Sequence, residues 1–301
     1  MRLEPIIKRE TELRSRSLTL PIVMTIVNAV LFAVGLAGAS AQILRMKTDF
    51  TLDYGAFLRI YVTVIAVQYV MVMFMAPACT ADAIAGERER GTFDLLLTTR
   101  LSAAEIVIEK MISAYISIAV IIISGLPAML IPLMFGGVHI QSTIFIMLII
   151  LIEAMELMCI GMFTSSFAKT TVHSLSLAYA LIAALTVGPL LISGLAGMFS
   201  EEGRNSLIYL TAIDPLLPVA AVVSERIGEG NYILGGLYRL LNGIPDPAFL
   251  DNAAFIGLMM QTVISICCIF ASVIHIMPHR TLIRLDLKAW FREKRKLKAR
   301  Q

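Results

Sequence analysis

Residues 143–164 read TIFIMLIILIEAMELMCIGMFT. This stretch is long and apolar enough to cross a hydrocarbon core of about 30 Å as a helix. Backbone groups in lipid must bond within their own segment, so a separate segment of this kind crosses as a helix and not as a strand. The stretch also carries Glu153 and Glu156, whose spacing of three places both on one helix face. It therefore indicates a membrane-spanning helix with a polar spot near its middle.

Five further runs have the same character. The chain has 301 residues, of which 58% are apolar and 16% charged, against about 25% charged residues in a typical soluble protein. The sequence therefore predicts an all-α integral membrane protein. Its six transmembrane helices are expected at Leu18–Ile43, Ala56–Thr80, Met111–Phe135, Thr143–Thr164, Ser174–Phe199 and Ala253–Met277. Pro127 and Pro132 in the third span and Pro189 in the fifth are expected bend points.

The distribution of lysine and arginine predicts how the spans are oriented. With the N-terminus inside, the inner segments hold 19 of the 25 basic residues and the outer segments hold six. Because basic residues favour the cytoplasmic side, we expect a multi-pass protein of the cell (plasma) membrane with both termini in the cytoplasm.

Three segments lie outside the spans, and we interpret the whole of 1–301 as a single transmembrane domain. Residues 1–17 have a helical apolar stripe among basic residues, which predicts an N-terminal interfacial helix on the inner membrane surface. Residues 200–252 form an extracytoplasmic segment whose apolar patches are too short to span, which favours short outer-leaflet helices between spans five and six. Residues 278–301 form a basic cytoplasmic tail suited to membrane lipid.

Several protein classes are excluded by absent patterns. There is no basic stripe with interleaved aromatic residues, so nothing indicates nucleic-acid binding. The G-x-x-x-x-G-K-[ST] phosphate loop is missing, so the chain is not an ATPase by itself. The four cysteines lie in or at the ends of apolar runs, where small buried side chains are a better interpretation than metal ligands or disulfides.

The charged stretch 85–110 reads AGERERGTFDLLLTTRLSAAEIVIEK and separates the second span from the third. We expect the second helix to stop at Gly86, Gly91 to break the chain, and Thr92 to cap a short helix over Phe93–Leu97. Ser102 and Glu105 have the spacing of a capping box that opens the next long helix. The leucines of this cytoplasmic loop either meet a partner protein or rest on the membrane surface, and physics leaves both open.

This stretch resembles the ABC-2 type family of ABC transporter permeases, whose members carry a similar GERERGTLDLLLTTPLS sequence between spans two and three. Arg100 stands where proline is common in the family. The resemblance covers most of residues 1–180 and implies that the 85–105 loop is a cytoplasmic coupling helix seated on a separate ATPase subunit. The implied partner-binding residues are Gly86, Glu87, Arg88, Glu89, Arg90, Gly91, Thr92, Phe93, Asp94, Leu95, Leu96, Leu97 and Thr98.

The resemblance further implies the membrane subunit of an ABC exporter, forming half of the substrate pathway. Two copies of a cytoplasmic ATP-binding subunit would bind ATP and Mg, so no cofactor is expected on this chain. A second permease subunit, identical or homologous, would complete the pathway. Two alternatives stay open: a proton-coupled secondary carrier that uses Glu153 and Glu156, and a non-transporting membrane immunity or sensor protein.

Glu153 and Glu156 are candidate pathway residues, together with Asn28 and Gln68 from the first and second spans. A charged carboxylate at the bilayer centre costs roughly 2.5–3.5 kcal/mol. Three interpretations follow. A carboxyl could donate to Asn28 or Gln68 in a structural network, the pair could bind a cationic or polar substrate, or it could relay protons.

Overall fold

The structure, a computed structural model, describes residues 18–49, 54–93, 102–133, 139–199, 208–227, 249 and 252–277. Across these residues the regular structure is helical, without a strand. In chain order the helices are α1 (Thr19–Asp49), α2 (Tyr54–Glu89), α3 (Ala103–Ser124), α4 (Leu126–Leu133), α5 (Ile140–Phe167), α6 (Thr171–Phe199), a 3-10 helix (Ile208–Ile213), α7 (Leu216–Ile227) and α8 (Ala253–Ile276).

Six segments of this described part are long and apolar enough to cross a membrane: α1, α2, α3 together with α4, α5, α6 and α8. The predicted all-α class and six spans are thus confirmed. Most of these helices run beyond the apolar runs from which they were predicted, most of all α2, which continues past Thr80 to Glu89, whereas α8 keeps within its predicted run. Hydropathy locates where a helix is apolar, whereas the helix itself ends where its hydrogen bonds end.

The third span is broken at Gly125, between α3 and α4. Gly125 caps α3, and α4 restarts at Leu126 with Pro127 in its first turn, where a missing N–H costs no helix hydrogen bond. The third span is therefore interrupted two residues before Pro127, one of the predicted bend points. By contrast, α6 continues through Pro189, and α2 through Pro77.

Helix α5 lies at the centre of the bundle. It contacts α2, α3, α6, α7 and α8, and its buried residues extend along its whole length. It is in close contact with α2 at Gly161, where an added Cβ would lie 2.7 Å from the carbonyl oxygen of Pro77. Glu153 and Glu156 are consequently carried by the most enclosed helix of the described chain.

Short helices are present within 208–227, as expected for the segment between spans five and six, and their depth in the membrane stays a prediction. Four predicted segments lie outside the described residues: the interfacial helix at 1–17, residues 94–101 of the coupling helix, residues 228–248 of the extracytoplasmic segment and the basic tail at 278–301.

Candidate functional site

The four charged residues 87–90 lie at the end of α2. The expected stop at Gly86 is wrong, because Gly86 is buried inside the helix with the Asp82 side chain lying over it. The helix ends at Gly91, whose φ of 71° is the left-handed conformation that glycine adopts easily. Its N–H donates to the Arg88 carbonyl, and the Thr92 N–H donates to the Glu87 carbonyl at 2.9 Å. This pair of bonds is a Schellman end.

Phe93, the next residue, has helical backbone, and the rest of the predicted short helix lies outside the described residues. The other side of the loop begins at Ser102, which accepts a hydrogen bond from the Glu105 N–H, while the Glu105 carboxylate accepts from the Ser102 N–H at 2.8 Å. The predicted capping box is therefore confirmed. Residues Asp94–Thr98 of the predicted partner-binding set lie outside the described chain, between these two well-defined helix ends.

Glu87 joins α2 to α3 through an ion pair with Lys110. The distance from Lys110 Nζ to Glu87 Oε1 is 2.6 Å, and the side chains are 9% and 20% exposed. A pair this enclosed is poorly screened by water, so removing either partner leaves a charge that the surroundings solvate badly. The two helices that flank the loop are thereby held together at its base.

Arg88 and Glu89 join α2 to the link between α5 and α6. Arg88 Nη1 donates to the Ala168 carbonyl at 3.0 Å, and its guanidinium lies over the Phe93 ring. Glu89 Oε2 accepts from the Thr171 N–H at 3.0 Å and from its hydroxyl at 2.9 Å. Thr171 is the first residue of α6. A carboxylate there satisfies an unpaired N–H and interacts favourably with the positive end of the helix dipole.

Arg90 bonds within its own helix, to Asp82 at 3.7 Å, with both side chains more than half exposed. Such a pair contributes little to stability. We call the residues Glu87, Arg88, Glu89 and Arg90 the charged hub. Through it, the base of the loop is connected to α3, α5 and α6.

Further hydrogen bonds continue this connection along α2 and α5. The Thr80 hydroxyl donates to the Met158 carbonyl, and the N–H groups of Ile84 and Ala85 lie 3.0 Å from Ser165 Oγ. Together with the contact at Gly161, they pack the two helices into one unit that ends at the charged hub.

The second candidate region is an acidic cluster further along α5. Glu153 is fully buried, and neither of its carboxylate oxygens has a hydrogen-bond partner among the described residues. Glu156 Oε1 accepts from the Thr262 hydroxyl of α8 at 3.2 Å. Asp214, in the turn before α7, is close enough to interact electrostatically with Glu153. Burial raises the pKa of Asp214 to about 7, against the opposing effect of the hydrogen bond from the Leu216 N–H.

A small cavity of about 10 Å3 lies between these groups, lined by Glu153, Glu156 and Gln261 among others. This volume holds about one water molecule. The Gln261 amide nitrogen donates to the Asp214 carbonyl at 2.9 Å. The amide oxygen of Gln261 has no hydrogen-bond partner within the described chain. The cavity is lined by these free oxygens and is too small for an organic substrate.

Asn28 and Gln68 lie apart from the acidic cluster. Asn28 donates to the Ser124 hydroxyl and Gln68 to the Ile122 carbonyl, each at 3.0 Å. Both therefore support the helix end at Gly125. The bond from a carboxyl group to Asn28 or Gln68 considered from the sequence is absent among the described residues: the amide oxygens that would accept it, Asn28 Oδ1 and Gln68 Oε1, have no hydrogen-bond partner there.

Sequence reasoning missed Asp214 and Thr262 as neighbours of the glutamates. Asp214-Pro215 has the pattern of a turn, and no local feature places it beside a helix more than fifty residues earlier. Within the described chain, no group of three or more His, Cys, Asp or Glu residues is arranged to hold a metal ion.

The sequence model of the family described as ABC-2 family transporter protein matches residues 22–227. The matched range includes the charged hub, the acidic cluster residues of α5 and Asp214. No curated protein matches the chain.

Proposed function

Because the chain belongs to the ABC-2 transporter family, we propose that it is the membrane subunit of an ABC exporter whose motion is driven by ATP hydrolysed on a separate subunit. Members of this family are membrane components of transporters, and the six candidate spans are consistent with a permease. ATP and Mg would bind to two copies of the partner ATPase. The pathway would lie between this chain and a second permease, with the loop and both termini on the cytoplasmic side of the cell membrane.

The observation that supports coupling is the charged hub. A loop that merely rested on the membrane surface would need no connection to distant helices. Here residues 94–101 connect α2 to α3 along the chain, and the Glu87–Lys110 pair joins the end of α2 to α3 two turns from its start. A push on the loop would therefore move both helices together. Arg88 and Glu89 would pass that displacement to the link 168–171 and the start of α6.

In this proposal residues 86–98 divide into two parts. The residues 94–98 would contact the ATPase, with Leu95, Leu96 and Leu97 as the apolar anchors. The residues 86–93 would transmit the displacement. Glu153 and Glu156 would become accessible to a substrate after α5 and α8 move apart, because their cavity holds about one water molecule while the helices are packed.

The test is co-purification in mild detergent. We expect the wild-type chain to retain an ATP-hydrolysing subunit, and the triple variant Leu95→Ala, Leu96→Ala, Leu97→Ala to lose it. The matched control replaces Leu191, Ile192 and Leu195 by alanine, three exposed apolar residues of α6. Equal retention of the ATPase by both triple variants would contradict the assignment of the loop.

A proton-driven carrier is the second candidate, and one observation favours it: buried carboxyl groups with free acceptor oxygens surround a water-sized cavity. The two functions differ in their energy source. Transport by purified chain in vesicles without ATP, abolished by Glu153→Gln, would replace the exporter assignment. Transport that requires ATP and the partner subunit would eliminate the carrier.

A further inference from the structure

A groove of about 500 Å3 lies on the surface of the bundle between α1, α2 and α3. Its apolar wall includes Val23, Met75, Ala78 and Ile121, and Thr19 and Asp82 add polar groups. The volume is within the range of drug-sized binding sites. The groove is separate from the acidic cluster, with which it shares no residue.

The groove has a polar end and an apolar end. Asp82 and Met75 are seven residues apart on α2, which corresponds to about 10 Å along the helix axis. Asp82 lies just beyond Thr80, where the apolar run of α2 ends, and therefore at the level expected for the lipid head groups. Met75 and Ile121 lie deeper, among apolar residues. A ligand filling this space would have a polar head near Asp82 and an apolar body between the helices.

Charge decides which head group fits. Asp82 is the one charged residue among the described groove-lining residues, so an anionic head would be repelled. The present partner of Asp82 is Arg90 of the charged hub, at 3.7 Å and well exposed. Because such an exposed pair is weak, an incoming cation can take the place of Arg90 at low cost.

We propose that this groove binds a cationic amphiphile that enters from the inner leaflet, and that it is the site where the transported substrate is first held. The entry role and the leaflet rest on the exporter function proposed above. Binding itself does not, since it requires the groove and the Asp82 carboxylate alone. Displacing Arg90 from Asp82 would also connect an occupied groove to the charged hub at the base of the loop.

The experiment measures fluorescence anisotropy of rhodamine 6G, a lipophilic cation, with the purified chain in phosphatidylcholine nanodiscs. We expect saturable binding to the wild type. Asp82→Asn should weaken it about fivefold, the effect of one exposed charge pair, and leave binding of an uncharged lipophilic BODIPY dye unchanged. Ala78→Trp, which fills the groove, should remove saturable binding of both dyes.

The matched control is Ile266→Trp, which places the same bulky residue on the exposed face of α8 and should bind as the wild type does. Dye that partitions without saturation, or binds equally to Ala78→Trp, would show that bulk lipid occupies the groove and would overturn the proposal. ATPase co-purification keeps the two proposals distinguishable. A wild type that retains the ATPase but fails to bind dye refutes the groove alone, and one that binds dye without an ATPase refutes the exporter function alone.

Discussion

Gly161 lies at a close contact between α5 and α2, and adding one methyl group there tests the packing that joins these helices. In Gly161→Ala the new Cβ would lie 2.7 Å from the Pro77 carbonyl oxygen and 2.9 Å from the Pro77 Cα. Both atoms belong to the backbone, so neither can rotate away. The helices must separate by about half an ångström or more to restore ordinary contact.

The expected loss of stability follows from two opposing effects. Overpacking a buried contact costs about 1–3 kcal/mol, and separation also stretches the hydrogen bond from Thr80 to the Met158 carbonyl, worth about 1 kcal/mol. Alanine in place of glycine recovers about 1 kcal/mol of helix propensity. We therefore expect a net loss of about 1–3 kcal/mol, or a midpoint about 2–6 °C lower.

Gly35 of α1 is the matched control, because the nearest atoms to a Cβ built there lie 3.6–3.8 Å away, which is ordinary van der Waals contact. Gly35→Ala should keep the midpoint or raise it by about 2 °C through helix propensity. The assay is the fraction of monodisperse protein that survives heating, read by size-exclusion chromatography. Equal midpoints for the two variants would refute the close α2–α5 contact.

Three further predictions concern ionisable groups. Glu153→Met should leave the midpoint unchanged or raise it, because an apolar residue replaces a buried carboxyl without described partners; a lowered midpoint would contradict this. Lys110→Met should lower the midpoint because it removes the ion-pair partner of Glu87. The double variant Glu87→Lys, Lys110→Glu should recover part of the loss, and no recovery would contradict the pairing. Because the folded pKa of Asp214 is about 7 and the unfolded one near 4, stability should fall as pH rises from about 4 to 7 and level off above it. Asp214→Asn should reduce the pH dependence of stability in this range by the equivalent of about one bound proton. An unchanged slope would refute the assignment of this pKa to Asp214.

Features that depend on neighbouring residues were predictable from the sequence. The capping box at Ser102 and Glu105 is such a feature, since cap and acceptor are three residues apart and need no tertiary contact. The end at Gly91 is another, because glycine tolerates positive φ. Gly86 misled the same reasoning. A glycine ends a helix in one setting and makes room for a side chain in another, and here it accommodates Asp82.

The acidic cluster was half predictable. The spacing of Glu153 and Glu156 places both on one face of α5, as the sequence indicated. Their surroundings depend on contacts across the bundle. Thr262 is 106 residues from Glu156 in the sequence, and Asp214 lies in a turn between two short helices. Asn28 and Gln68 were the polar partners expected from the first two spans, but both form hydrogen bonds with α3 near Gly125 instead. Residue type predicts that a buried polar group needs a partner, and topology determines which one it meets.

The charged hub shows why so apolar a chain has four consecutive charges at one helix end. Successive residues of an α-helix point about 100° apart, so four in a row project in nearly all directions around the axis. Glu87 points to α3, Arg88 to the end of α5, Glu89 to the start of α6, and Arg90 back along its own helix. Alternating signs let each charge find an oppositely charged or dipolar partner, on another element for the first three and on the same helix for Arg90. A helix end built this way holds the neighbouring helices in fixed positions relative to one another. Such an arrangement is required if a force applied to the adjoining loop is to move several spans at once.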